Sequence, residues 1–235
     1  MTAVFKREFK GYFSSPLGYI FLAVMFFFSG QFFSTLLALS YAQIELVFSS
    51  MFTVVTMLIP ILTMRLMSED KKLRIDQLYL TAPVSIGGVV LGKYLAACAV
   101  YLIGIAPTIL YTIILATFTT PDWNVFLGNF FALALLGAAM LAIGIFVSST
   151  TESQMVAAIL SYAILMFIML FDTIVTALPS GLSFLEPVLR ALSFLSRYND
   201  FMSGILNVSH IIFFVSFVVV FNFLTIRVLE KKRWG

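Results

Sequence analysis

Side chains able to do recognition chemistry are concentrated in one stretch, Arg65–Lys93, which reads RLMSEDKKLRIDQLYLTAPVSIGGVVLGK. It interrupts a sequence that is otherwise almost continuously apolar, is too charged to cross a bilayer and is too short for a soluble domain. Ser68 has the position of a helix cap, Glu69 and Asp70 place negative charge in the first turn, and Lys71, Lys72 and Arg74 follow before Pro83 closes the segment. A short charged helix between two membrane spans is a surface for a cytosolic partner. The same stretch holds Gly87, Gly92 and Lys93 in the G-x-x-x-x-G-K frame of a phosphate loop. The next residue is Tyr94, where Ser or Thr is needed for magnesium, and no nucleotide-binding strand precedes it. Lys93 reads instead as a cationic anchor at the cytoplasmic end of a span.

Catalytic constellations are missing elsewhere. His210 is the single histidine and Cys98 the single cysteine, so neither a zinc cluster nor an intramolecular disulfide can be assembled. Ser203 and Ser209 are near His210 only along the chain, which does not make an intramembrane serine protease; a satisfied interfacial histidine is the simpler reading. Glu45, Asp122, Asp172, Glu186 and Asp200 all fall near the outer surface. Deep in the apolar runs almost nothing ionises, which disfavours an ion-coupled carrier. Gln31, Ser161 and Asn222 are the deeper polar residues and read as interhelical hydrogen bonds.

Positioning these residues requires a membrane bundle. Apolar residues make up 61% of the chain and charged ones 11%, with a mean hydropathy of +1.07, which no soluble domain matches. The runs are too long for the alternation of an outer-membrane barrel, so the fold is all-α. Six of them reach the length of about 20 residues that a span needs: Leu17–Leu39, Leu46–Met64, Val89–Phe118, Val125–Val147, Met155–Leu178 and Val208–Leu229. With six spans both termini share a side. That side collects twelve of the basic residues: Lys6, Arg7, Lys10, Arg65, Lys71, Lys72, Arg74, Lys93, Arg227, Lys231, Lys232 and Arg233. The other side holds only Arg190 and Arg197. Both termini and the 65–88 loop are therefore expected in the cytoplasm.

The chain divides into an interfacial helix (1–16), spans one and two (17–64), the loop (65–88), spans three to five (89–178), an outer segment (179–207), span six (208–229) and a tail (230–235). Val4, Phe5, Phe9, Tyr12 and Phe13 recur at helical spacing opposite Lys6, Arg7, Glu8 and Lys10, as in a helix lying on the membrane surface. A cleaved signal peptide is disfavoured, since the apolar run is longer than an h-region and starts late. In the outer segment, Ser183 and Glu186 have capping-box spacing, and one or two short surface or re-entrant helices are expected. Ala134, Ala138 and Ala142 with Gly137 and Gly144 in span four, and Ala96, Val100, Gly104 and Thr108 in span three, form small-residue rows for close packing; Pro107 adds a kink.

The run LTMRLMSEDKKLRIDQLYLTAPVSIGGVVLGKYLA resembles the hallmark of type-2 ABC exporter permeases. The likeness is carried by Met64, Arg65, Glu69, Asp70, Lys71, Leu78, Pro83, Val84, Ser85, Gly92 and Lys93. The opening FKREFKGYFSSPLGYIF, Pro121–Trp123 and Ser148–Gln154 are similar to the gliding-motility-type subgroup. The family's Gly-Thr-x-Glu element reads here Arg74, Ile75, Asp76, Gln77. The resemblance implies a non-catalytic permease of an exporter in a prokaryotic inner membrane, with an N-terminal elbow helix, six transmembrane helices and a cytoplasmic coupling helix. It implies a separate ABC ATPase subunit, where ATP and magnesium would bind, and a second permease subunit. Glu69, Asp70, Lys71, Lys72, Asp76 and Gln77 are the expected ATPase contacts. Membrane lipid is the other expected partner, and nucleic acid is not one. A small-molecule-binding component of an uptake system is the alternative, disfavoured because the outer loops lack a dense polar constellation; a membrane-embedded hydrolase is disfavoured by the missing catalytic residues.

Overall fold

A computed structural model describes residues 1–39, 43–75, 85–176, 193–202 and 207–234. Described residues form helices and no strand. Helix α1 (Thr2–Ser14) meets α2 (Pro16–Ala38) at Ser15, whose extended backbone (φ −115°, ψ 157°) is what a residue before proline adopts, and Pro16 opens the next helix. Then come α3 (Glu45–Lys72), α4 (Ile86–Ile105), α5 (Pro107–Leu115), α6 (Trp123–Thr150), α7 (Gln154–Thr176), α8 (Phe194–Met202) and α9 (Val208–Trp234). Six segments are long and apolar enough to cross a membrane: α2, α3, α4 with α5, α6, α7 and α9.

Pro107 divides the third span as expected, because it has no N–H to donate to Ile103 one turn back. At the start of α6, Asp122 caps the helix by accepting from Asn124 N at 2.9 Å. Helix α6 is the hub, packed on α3, α4, α7, α8 and α9. Its small residues do allow close approach, but at the glycines: a side chain at Gly137 would enter the Tyr101 ring, and one at Gly144 would enter Thr63. The third-span row is fully buried at Ala96, Val100 and Thr108.

Two expectations change. First, α3 does not end with its apolar run at Met64. It continues to Lys72, and Ser68 lies inside it, its hydroxyl donating back to Met64 O rather than capping a new helix. The cause is local: Arg65 to Lys72 contains no breaker, and Arg65 pairs with Glu69 one turn on. The helix stops at Leu73–Arg74, where Arg74 adopts a left-handed φ of 55°. Second, the deeper polar residues do not bond between helices. Asn222 donates to Val218 O of its own helix at 2.8 Å, Ser161 Oγ has no partner among the described residues, and Gln31 is exposed. Tyrosines make those cross-helix bonds instead: Tyr94 to Ala138 O, Tyr101 to Leu133 O and Tyr198 to Phe48 O, at 3.1, 2.6 and 2.9 Å. Asp76, Gln77, Pro83, Ser183, Glu186 and Arg190 lie outside the described residues.

Candidate functional site

The charged end of α3 meets α1, the first turns of α4 and the last turn of α6 at one end of the bundle. Each element reaches this place for a reason legible in its residues. Phe5, Phe9 and Phe13 form a ladder along α1, with ring centroids 5.8 and 5.2 Å apart, which leaves Glu8 and Tyr12 to turn toward α3 and α4. Tyr12 is buried and donates to Leu62 O at 2.9 Å; burial pushes its phenol well above the ordinary value, so it remains a donor. Gly92 admits α1 closely, since a Cβ there would sit 3.0 Å from Met1 O and from Val4.

Lys93 stands at the centre. Its side chain is 1% exposed, and its ammonium lies 2.7 Å from Asp70 Oδ2, 3.1 Å from Glu8 Oε1 and 2.6 Å from Leu66 O. Two of its donors are hydrogen-bonded, to Glu8 and Leu66 O, and Asp70 adds an ion pair whose Oδ2 makes no hydrogen bond among the described residues. Arg7 adds a second cation, bonded to Glu8 and 4.0 Å from Asp70. Two cations and two carboxylates thus form a neutral quartet spanning α1, α3 and α4. Burial alone would raise the Glu8 carboxyl, but Lys93 and Arg7 outweigh it and hold Glu8 below its ordinary value. Lys93 is therefore not an anchor reaching into head groups; it is the core of an ion-pair cluster, because acceptors from two other helices surround it.

The α6 side of the junction is a second clasp. Ser148 Oγ accepts from Met67 N at 3.2 Å and Ser68 N at 3.1 Å and donates to Met64 O at 3.0 Å, so one hydroxyl is inserted into the α3 backbone ladder. Lys71, also buried, donates to Ser149 O. Of the residues expected to contact a partner, Glu69 and Asp70 are ion-paired with Arg65 and Lys93, and Lys71 is bonded to Ser149 O. Lys72 is exposed.

Sequence reasoning missed Glu8, Ser148 and Ser149. A lone carboxylate among Lys6, Arg7 and Lys10 was the available signal for Glu8, and the polar run SSTTESQ following an apolar span was the signal for the serines. At the far end, His210 Nε2 lies 3.4 Å from Asp200, while its buried Nδ1 has no partner among the described residues. Among the described residues no group of three metal-ligating side chains assembles. The arrangement can therefore fasten these helices to one another and transmit load between them.

A family model described as an ABC-2 family transporter protein matches residues 3–234. No curated protein matches the chain.

Proposed function

Because the chain belongs to the ABC-2 family of transporter proteins, and so is a multi-pass membrane permease component of an ABC transporter, we propose that it couples export of its cargo to ATP hydrolysis in a separate cytoplasmic subunit. The observation that carries this reading is the quartet around Lys93. It ties the segment after the second span, where the charged run lies, to the elbow helix and to the third span at once. A load applied at the end of α3 would thus reach the second span, the third span and the elbow helix together, as rigid-body gating requires. ATP and magnesium are held by the partner subunit, and a second permease subunit completes the path. The basic end of the bundle faces the cytoplasm of a prokaryotic cell, with both termini there. Arg65–Lys93, including Asp76 and Gln77, forms the coupling region.

The test is purification of the tagged chain in mild detergent with mass spectrometry of what co-elutes. A stoichiometric soluble ATPase whose hydrolysis is altered by the permease supports the reading. A lone six-span protein carrying a small molecule overturns it in favour of an uptake-binding component.

A further inference from the structure

The polar face of α1 divides in two. Arg7 and Glu8 are engaged in the quartet around Lys93, and Tyr12, one turn on from Glu8, is buried against α3. Lys6 and Lys10 turn away. Both are exposed, and neither has an ion-pair or hydrogen-bond partner among the described residues. Several other cations at this end of the bundle are taken within the chain: Arg65 by Glu69, Lys71 by Ser149 O, and Lys93 by Glu8 and Asp70.

The aromatic ladder sets where these two lysines emerge. Lys6 follows Phe5, and Lys10 follows Phe9, by one residue, or about 100° round the helix. Their side chains therefore leave α1 along the edge of the Phe5–Phe9–Phe13 stripe. That stripe continues onto α2, where Phe13 meets the Tyr19 ring edge-on at 5.7 Å. Tyr19 is 58% exposed, and the three phenylalanines are only half-buried by the protein. A helix with such a stripe sinks its rings to the acyl boundary, and lysines on the edge of the stripe then reach the phosphate level. Four residues apart, the two side chains stand about 6 Å from each other along the axis, close enough for one phosphate to accept a charged hydrogen bond from each.

We propose that Lys6 and Lys10 hold the phosphate of an anionic phospholipid whose acyl chain lies along Phe5, Phe9, Phe13 and Tyr19. The site is on the flank of α1 and is independent of the coupling reading. Its occupant follows from two features that occur together. A soluble acidic protein or free phosphate would satisfy the lysines and leave the ring stripe unused, whereas a zwitterionic lipid would cover the rings but brings its own cation. Each lysine near an anionic surface strengthens binding roughly fivefold, so the pair contributes about 30-fold.

In the experiment, the full chain is reconstituted in nanodiscs of phosphatidylcholine with and without phosphatidylglycerol, and the lipids retained after transfer to detergent are counted by native mass spectrometry. The parent is expected to retain phosphatidylglycerol in preference to phosphatidylcholine. Lys6→Gln with Lys10→Gln should weaken that retention by about 30-fold, and either substitution alone by roughly fivefold, while Lys6→Arg with Lys10→Arg keeps it. The single variants carry the test if the double one does not fold. Lys231→Gln removes an exposed cation from the same end of the bundle and should leave retention unchanged. Glutamine variants that retain phosphatidylglycerol as strongly as the parent overturn the proposal. An equal loss in Lys231→Gln also overturns it, because net charge would then be the cause. Inorganic phosphate at the same concentration as the lipid phosphate should not displace the lipid; if it does, the rings contribute nothing and the lipid assignment falls.

Discussion

The ammonium of Lys93 lies 2.7 Å from the carboxylate of Asp70, and both residues are buried where the third span enters the bundle. An ion pair out of water is stable only while both partners are present. Lys93→Met should leave Asp70 without its close partner and cost about 3–5 kcal/mol, seen as a lower melting temperature in detergent. Adding Asp70→Asn should recover part of the loss, because the remaining Glu8 still has Arg7. A Lys93→Met protein as stable as the parent would show that the pair contributes nothing.

Acid should loosen the same cluster. Glu8 is held below its ordinary value of 4.5, so its ionised form favours the folded arrangement. That contribution is fully present above pH 4.5 and is lost as pH falls through the lower folded value. Stability should therefore be flat from about pH 8 to pH 5 as far as Glu8 is concerned. Glu8→Gln should remove the acid-side loss attributable to this group. An identical acid limb in parent and variant would locate the sensitivity elsewhere.

Ser148 offers a separate handle on the α3–α6 clasp. Ser148→Ala removes the acceptor of two backbone N–H groups and should cost about 1–3 kcal/mol. Hydrogen exchange at Met67 and Ser68 should speed up in the variant while exchange in the middle of α6 stays slow. Unchanged protection at both amides would mean their bonds are made within α3 alone.

Gly137 tests packing rather than polarity. A leucine there would collide with the Tyr101 ring and displace its 2.6 Å bond to Leu133 O. Overpacking at such a contact costs about 1–3 kcal/mol or more, and Gly137→Leu should be poorly expressed or melt early. Tyr101→Phe added to it should not restore stability, since the ring and not the hydroxyl is in the way. By contrast Lys72→Glu, on an exposed side chain, should shift stability by no more than about 0.5 kcal/mol.

The spans were legible because each is a long apolar run, and Pro107 announced the division of the third. The end of α3 was not. Arg65 and Glu69 look like a chain leaving the membrane, yet their pairing prolongs the helix, and Ser68 has a cap's identity without a cap's backbone. The centre of the site was hidden for a different reason. Glu8 and Lys93 are 85 residues apart, so their ion pair exists only once α1 has packed against α4. Ser148, too, reveals its role only beside Met67, a neighbour 81 residues distant. Periodicity reports which face of a helix is apolar, and it is silent about which two polar faces will meet.

The uninterrupted run of α3 has a mechanical corollary. At 1.5 Å per residue its 28 residues make a rod of about 42 Å, longer than the roughly 30 Å hydrocarbon layer. About 12 Å is left projecting as a crank on the side that carries Asp70 to Lys72. Pro60, near the middle of the rod, has no N–H to give Thr56 O, so a tilt of about 10° there swings the Asp70-bearing tip by roughly 3–4 Å. A small displacement of the projecting tip is thereby divided at Pro60 between the half of α3 that carries Asp70 and the half that begins at Glu45.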